Sequence, residues 1–139
     1  MKTVLFVCTG NTCRSPMAAA IANNLFINRS IAAVAVSGGV FAMDGAAASK
    51  NAIAAINADL KDHRAKMVQE EDLAGAHIVI TMTKSHKSHL CAMYPDFTHK
   101  IHTLGHDIDD PFGASLDVYK KCAEQILRCL ENLVWEEYI

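Results

Sequence analysis

A cysteine and an arginine near the start of the chain have the spacing of a nucleophile and an oxyanion clamp. Cys8 and Arg14 enclose a short, mostly polar segment. A loop that leads from a strand into a helix turns several backbone amides toward one point, and those amides bind a tetrahedral anion. The guanidinium of Arg14 adds a bidentate, permanently charged clamp. The predicted phosphate-binding loop consists of Thr9, Gly10, Asn11, Thr12, Cys13, Arg14 and Ser15.

The thiol of Cys8 lies at the base of this predicted ring of amides. The helix dipole, the loop amides and the Arg14 guanidinium all favour the thiolate, so we expect the pKa of Cys8 to be lowered. A thiolate there can attack phosphorus and hold the phosphoryl group covalently, which divides one difficult displacement into two easier ones. Ser15 could donate a hydrogen bond to the sulfur. Gly10 and Asn11 tolerate the positive φ that a tight loop requires.

A displacement of this kind also needs an acid to protonate the leaving group. The segment Asp110-Pro111-Phe112-Gly113 lies in a loop rich in Asp and Gly before the last helix. Asp110 is the candidate acid, and the adjacent Asp109 is the alternative.

The elements that position these residues follow from the periodicity of the apolar side chains. Apolar runs predict strands at 4–8, 31–37 and 77–82 and a weaker one at 100–104. Helices are predicted from Ser15-Pro16 onward and over 46–60, 69–74 and 84–93. The last helix has an apolar face formed by Leu116, Tyr119, Ala123, Ile126, Leu130 and Leu133. Strands that alternate with helices predict one α/β domain, residues 1–139, with a four-stranded parallel sheet between two helical layers.

Composition excludes several other classes of protein. The chain has 139 residues, 51% of them hydrophobic, and a formal net charge of −2. No excess of Lys and Arg is present to bind nucleic acid or an anionic membrane. Its apolar runs are shorter than the ~18 residues of a membrane span, and polar residues interrupt the N-terminal one too early for a signal peptide. We therefore expect a cytoplasmic monomer with reduced cysteines.

The remaining cysteines and histidines have less specific patterns. Cys13 either packs beneath the loop or forms a reversible disulfide with Cys8 that protects the nucleophile from over-oxidation. The other three cysteines are expected to pack in the protein without a chemical role; they are Cys91, Cys122 and Cys129. The pairs His86/His89 and His99/His102 are interpreted as surface histidines, and no metal site is expected.

Several segments together resemble a known family. The stretch from Val7 to Pro16 resembles the signature of the low-molecular-weight protein phosphatases, and the stretch from Asp110 to Gly113 resembles their general-acid loop. The resemblance runs almost end to end. It includes Ser37-Gly38-Gly39-Val40-Phe41, Asp62-His63-Arg64-Ala65 and Thr81-Met82-Thr83-Lys84-Ser85-His86-Lys87.

The resemblance implies roles for individual residues and an order for the strands. Cys8 would be the nucleophile, Arg14 the phosphate clamp, and Asp110 the acid that later activates water. Asn11, Ser15 and Ser37 would form the hydrogen-bond network that shapes the loop. The implied sheet order is 2-1-3-4, with no metal or cofactor, and the implied ligands are phosphorylated proteins as substrates and phosphate or related oxyanions as products or inhibitors.

The residue at position 12 bears on which phosphorylated side chain is the substrate. Tyrosine phosphatases of this family usually carry Ile there, whereas its protein-arginine phosphatase branch carries Thr, and this chain has Thr12. A hydroxyl can accept a hydrogen bond from a guanidinium, so we predict a phosphoarginine phosphatase. Phosphotyrosine is the alternative, since Phe112 would line the pocket entrance and an aromatic wall suits a phenol as well as a guanidinium.

Two functions from other classes are less favoured by the sequence. A thioredoxin-coupled arsenate reductase would need two further cysteines close together after the third strand, and only Cys91 lies near. A phosphate-binding module without catalysis would be expected to have lost Cys8 or Asp110, and both are present.

Overall fold

Continuous apolar residues make the first strand the centre of the sheet. In β1 (Lys2–Cys8), every residue from Val4 to Cys8 is buried, as expected of a strand covered on both faces. The computed structural model describes residues 1–56 and 58–139. In it β1 pairs in parallel with β2 (Ala33–Gly39) on one side and β3 (Ile78–Thr81) on the other, and β4 (Ile101–Thr103) pairs with β3. The strand order β2-β1-β3-β4 confirms the prediction.

Helices cover both faces of the sheet and divide the core in two. Val4 and Phe6 of β1 pack with α1 (Arg14–Asn28), α2 (Lys50–Ala55) and α5 (Leu116–Asn132), while Leu5 and Val7 pack with α3 (Glu70–Gly75) and α4 (Lys84–Met93). Short 3-10 helices follow at Pro95–Lys100 and Trp135–Glu137. Alternate residues of β1 therefore hold the two helical layers. No described helix combines the length and the apolar character needed to cross a bilayer.

The helix predicted over 46–60 is much shorter than expected. It begins only after Ser49, whose Oγ accepts a hydrogen bond from the backbone N–H of Ala52, and Ile56 already has an extended backbone. Upstream, the backbone carbonyl of Ala46 accepts a hydrogen bond from the amide of Ala65, and Ala47 forms an antiparallel bridge with Arg64. These residues therefore pair with another segment of the chain and do not form a helix. Position 57 of the predicted helix lies outside the described residues.

Four of the six residues of the predicted apolar face are buried in the last helix, while Leu116 is half-buried and Leu133 follows the end of α5. Ser115 caps α5, since its Oγ accepts from the amide of Val118. The side chains buried by α5 are Tyr119, Cys122, Ala123, Ile126 and Leu130. Because α5 starts three residues after Gly113, it fixes the end of the loop that carries Asp110.

Candidate active site

The loop between β1 and α1 holds one residue in the left-handed backbone region. Asn11 has a φ of 57° and is fully buried. Its side-chain amide donates to Ser15 Oγ at 2.8 Å and accepts from the backbone N–H of Lys66 at 3.0 Å. Nε2 of His63 donates to its carbonyl oxygen at 2.6 Å. These contacts offset a conformation that costs an ordinary side chain roughly 1–2 kcal/mol.

The end of β2 lies directly against the loop. The amide of Val40 donates to the carbonyl of Cys8 at 2.9 Å, and the amide of Phe41 donates to the carbonyl of Thr9 at 3.0 Å. A side chain on Gly39 would overlap the Thr9 carbonyl oxygen, so this close approach requires glycine. Main-chain hydrogen bonds therefore hold the loop against the residues that follow β2, at the carboxyl ends of the parallel strands.

The sulfur of Cys8 lies at the base of the loop, as predicted. It is 2.9 Å from Ser15 Oγ and accepts from the amide of Asn11 at 3.3 Å. Burial raises the pKa of the Cys8 thiol, while the Ser15 and Asn11 hydrogen bonds and the charge of Arg14 lower it by less. The expected lowered pKa is thus wrong, because Cys8 is 2% exposed and desolvation outweighs its hydrogen-bond donors and the charge of Arg14.

The guanidinium of Arg14 is buried and anchored at one edge. One terminal nitrogen donates to the carbonyl of Ile108 at 2.9 Å and the other to Thr9 Oγ1 at 3.3 Å. Its Nε–H has no acceptor within the described residues, although the atom is buried. A buried donor without a protein acceptor is costly, so this edge of Arg14 is suited to an oxyanion.

Asp110 and Phe112 close the other side of a cleft of about 220 Å³ above the loop. A carboxylate oxygen of Asp110 lies 3.7 Å from the Arg14 guanidinium, and the other accepts from the amide of Phe112 at 3.1 Å. Asp109 does not line the cleft. The structure therefore brings Asp110, and not its neighbour, together with Cys8 and Arg14. The other lining residues are Thr9, Gly10, Asn11, Thr12 and Cys13.

Ser37 is not part of the network that supports the loop, which corrects the sequence-based expectation. It lies in β2, and in the two described segments of the chain its hydroxyl makes no hydrogen bond to the loop. The next residue, Gly38, instead offers its carbonyl to Ser15 Oγ at 3.3 Å. Ser15 therefore takes its acceptor in β2 from the main chain of Gly38 and not from the hydroxyl of Ser37.

The sulfur of Cys13 contacts side chains of α5 and of the residue that caps α2. It is buried, 3.3 Å from the Tyr119 hydroxyl and 3.5 Å from Ser49 Oγ. Cys8 and Cys13 are both free thiols. Sequence reasoning assigned no polar role to Tyr119 or Ser49, since neither residue type in its local pattern signals contact with a loop far along the chain.

His86 is buried beside the loop, contrary to the expectation from the sequence. It was expected at the surface, but it is 6% exposed. Its Nε2 is 2.8 Å from Thr9 Oγ1 and its Nδ1 is 2.9 Å from Thr83 Oγ1. Burial, with a smaller effect from Arg14, lowers the pKa of His86 to about 4. Within residues 1–56 and 58–139, no three His, Cys, Asp or Glu side chains form a group that could hold a metal ion.

Comparisons with known proteins agree with this geometry. The family model for low molecular weight phosphotyrosine protein phosphatases matches residues 3–138. The low molecular weight protein-tyrosine-phosphatase PtpB of Staphylococcus epidermidis is 39% identical over 138 residues, covering 94% of this chain and 95% of PtpB. The protein-arginine-phosphatase of Geobacillus stearothermophilus is 36% identical over 140 residues, covering 94% of this chain and 92% of that protein.

One solved structure with a similar fold has a phosphorylated residue in its active site. A mutant of the YwlE arginine phosphatase with a phosphorylated active-site serine has a TM-score of 0.91 and 32% identity, covering 96% of this chain and 94% of that one. The family match covers the loop from Cys8 to Arg14, the loop of Asp110, the strands β2, β3 and β4, and all of β1 except Lys2. The resemblance drawn from the sequence is confirmed, and the chain belongs to the low molecular weight phosphotyrosine protein phosphatase family.

Proposed function

We propose that this protein hydrolyses phosphoarginine in phosphorylated proteins through a phosphocysteine intermediate. The choice of phosphoarginine rests on the polar residues that line the cleft above Cys8. The residues that line it include Asp110, which carries a carboxyl group, and Thr12, which carries a hydroxyl. Both groups accept hydrogen bonds, and a guanidine offers mainly N–H donors, whereas a phenyl ring offers none.

In the first step, Cys8 would attack the phosphorus atom. The S–P bond forms as the P–N bond breaks, and Asp110 donates a proton to the departing guanidine nitrogen. The Arg14 guanidinium and the loop amides hold the phosphoryl oxygens, and Nε of Arg14 is the buried donor available to them. Ser15, 2.9 Å from the sulfur, stabilises the thiolate.

In the second step, a water molecule would attack the phosphocysteine. Asp110, now a carboxylate, takes a proton from that water as the O–P bond forms and the S–P bond breaks. Inorganic phosphate leaves, and Cys8 and Asp110 return to their starting states. The phosphorylated active-site serine in the YwlE mutant supports a covalent intermediate of this type.

The test of the chemical roles is turnover of a phosphoarginine peptide by matched variants. We expect Cys8→Ser to lose turnover and Asp110→Asn to lose roughly 100-fold or more in kcat, as is usual for a general acid. Asp109→Asn is the control and keeps turnover, because Asp109 does not line the cleft. Equal turnover in Cys8→Ser and the unaltered protein contradicts the proposal.

The test of the substrate is a change at position 12. We expect Thr12→Ile to shift the ratio of kcat/KM for phosphoarginine over phosphotyrosine toward phosphotyrosine by roughly tenfold, the effect of about one hydrogen bond. Thr12→Val keeps the shape and removes only the hydroxyl, so it separates polarity from size. An unchanged ratio in Thr12→Ile argues against the choice of phosphoarginine.

Phosphotyrosine is the second candidate. Phe112 is 73% exposed at the cleft, and an aromatic wall can stack on a phenol ring. PtpB of S. epidermidis, a relative, is a protein-tyrosine-phosphatase by name. If the unaltered protein prefers phosphotyrosine peptides in the same assay, this second function is the correct one.

Location, assembly and the role of Cys13 stay predictions. We propose that the protein acts in the cytoplasm, because its five free cysteines suit a reducing compartment, and that it is a monomer. Cys13 as a redox partner of Cys8 is also a proposal. It is supported by their shared loop and opposed by the bonding of Cys13 to Tyr119 and Ser49.

A further inference from the structure

One buried histidine beside the loop has no part in the steps described above. His86 lies in the first turn of α4, with its imidazole held between two threonine hydroxyls. Thr83 caps α4, and its Oγ1 also accepts from the backbone N–H of His86 at 3.2 Å. The ring cannot rotate without losing both hydroxyl contacts.

The hydroxyl of Thr9 connects this ring to the Arg14 guanidinium. Thr9 Oγ1 lies 2.8 Å from His86 Nε2 and accepts from Arg14 at 3.3 Å. The other anchor of the guanidinium is the backbone carbonyl of Ile108. One anchor thus belongs to the main chain, while the other is a side-chain hydroxyl that also contacts His86.

The imidazole is neutral near pH 7, since burial and Arg14 lower its pKa to about 4. A neutral imidazole has one N–H donor and one acceptor nitrogen, so it can engage both hydroxyls in either tautomer. It adds no positive charge beside Arg14, and the guanidinium keeps its hydrogen-bonding capacity for an anion.

We propose that His86 is a positioning residue for the oxyanion clamp: it holds the Thr9 hydroxyl, and through it the plane of the Arg14 guanidinium, toward the bound phosphoryl group. The inference rests on the proposed function, because the phosphoryl group is the ligand of the clamp there. His86 itself does not touch the substrate in this arrangement.

Two amide variants distinguish the contact of His86 with Thr9 from its contact with Thr83. The amide of His86→Gln reaches the position of Nε2 and can keep the Thr9 contact, whereas the shorter His86→Asn reaches only the position of Nδ1 and keeps the Thr83 contact. We expect His86→Asn to weaken inorganic phosphate binding and raise KM for a phosphoarginine peptide by roughly five- to tenfold, with a smaller change in kcat. His86→Gln restores most of this loss. His89→Asn, on the same helix, is the control and binds phosphate normally.

A double variant tests whether His86 acts through Thr9. Thr9→Val removes the hydroxyl through which His86 would act. Adding His86→Asn to Thr9→Val should therefore cause no further loss of phosphate affinity. Calorimetry measures this affinity on variants that are shown to be folded. Additive losses, or normal phosphate binding by folded His86→Asn, overturn the inference. If phosphate binding depends on His86 while the unaltered protein turns over no phosphorylated peptide, the proposed function fails and the positioning role stands.

Discussion

At the scale of single residues, the site depends on the balance between burial and hydrogen bonding at one sulfur. Cys8 is almost completely removed from solvent, and this raises its pKa. Ser15 and Asn11 oppose burial by donating hydrogen bonds that favour the thiolate. The Ser15 hydroxyl has a single hydrogen, which can bond either to the sulfur or to the Gly38 carbonyl. Ionisation of Cys8 therefore decides where that hydrogen points.

We predict that Ser15→Ala raises the pKa of Cys8 further. A hydrogen bond to the thiolate stabilises the charged form, so its removal disfavours ionisation and slows alkylation near pH 7. The measurement is the rate of iodoacetamide alkylation of Cys8 as a function of pH. Ser49→Ala is the control, since Ser49 contacts Cys13 and not Cys8. An alkylation midpoint in Ser15→Ala at or below that of the unaltered protein would contradict this assignment.

At the scale of elements, α1 protects the exposed edge of the sheet. β2 is an edge strand, and the backbone N–H and C=O of Ala35 both bond to the side chain of Asn23, at 2.8 and 3.1 Å. The side-chain amide of Asn23 thus satisfies the backbone N–H and C=O of Ala35, with which a strand of another molecule would otherwise pair. Unpaired edge groups favour association between chains, and a local cap of this kind limits it.

We predict that Asn23→Ala destabilises the protein by about 1–3 kcal/mol and increases its self-association, because two backbone groups lose their partner. Urea unfolding gives the first quantity and sedimentation velocity the second. Asn24→Ala, at an exposed position on the same helix, is the matched control. Unchanged stability and sedimentation in Asn23→Ala would show that the cap has no energetic role.

At the scale of the whole molecule, the buried site couples stability to pH. The pKa of His86 is about 4 in the folded protein, against an ordinary value of 6.5. Between these values the unfolded chain binds more protons, so stability rises with pH across this window and falls as the pH drops from 6.5 toward 4. The charged or titratable groups that act on the ring are Arg14, Asp107, Asp110 and His89.

We predict that the unaltered protein loses about 2 kcal/mol more stability than His86→Gln between pH 7 and pH 5, as the linkage relation gives for this pKa difference. Urea unfolding of both proteins at the two pH values measures it. The comparison removes most of the contribution from the carboxylates, which titrate in both proteins. Parallel losses in the two proteins would contradict the lowered pKa.

The sequence by itself determined what depends on neighbouring positions. The apolar run of β1, the apolar face of α5, and the order of residues from Cys8 to Arg14 are local patterns, because strand and helix periods place residues of one segment relative to each other. The matching family signature extended these patterns to the sheet order and to Asp110. The helix predicted over 46–60 failed because Ala46 pairs with Ala65, a contact that helical propensity does not contain.

Only the tertiary structure decided which distant groups meet at the loop. Thr9 and His86 are 77 positions apart, and Asn11 and His63 are 52 positions apart, so no local pattern specifies either contact. The same holds for the Gly38 carbonyl, which bonds to Ser15 in place of the Ser37 hydroxyl expected from the sequence. Burial and hydrogen-bond geometry are properties of the packed chain, and they fix the charge state of His86 and the ionisation of Cys8.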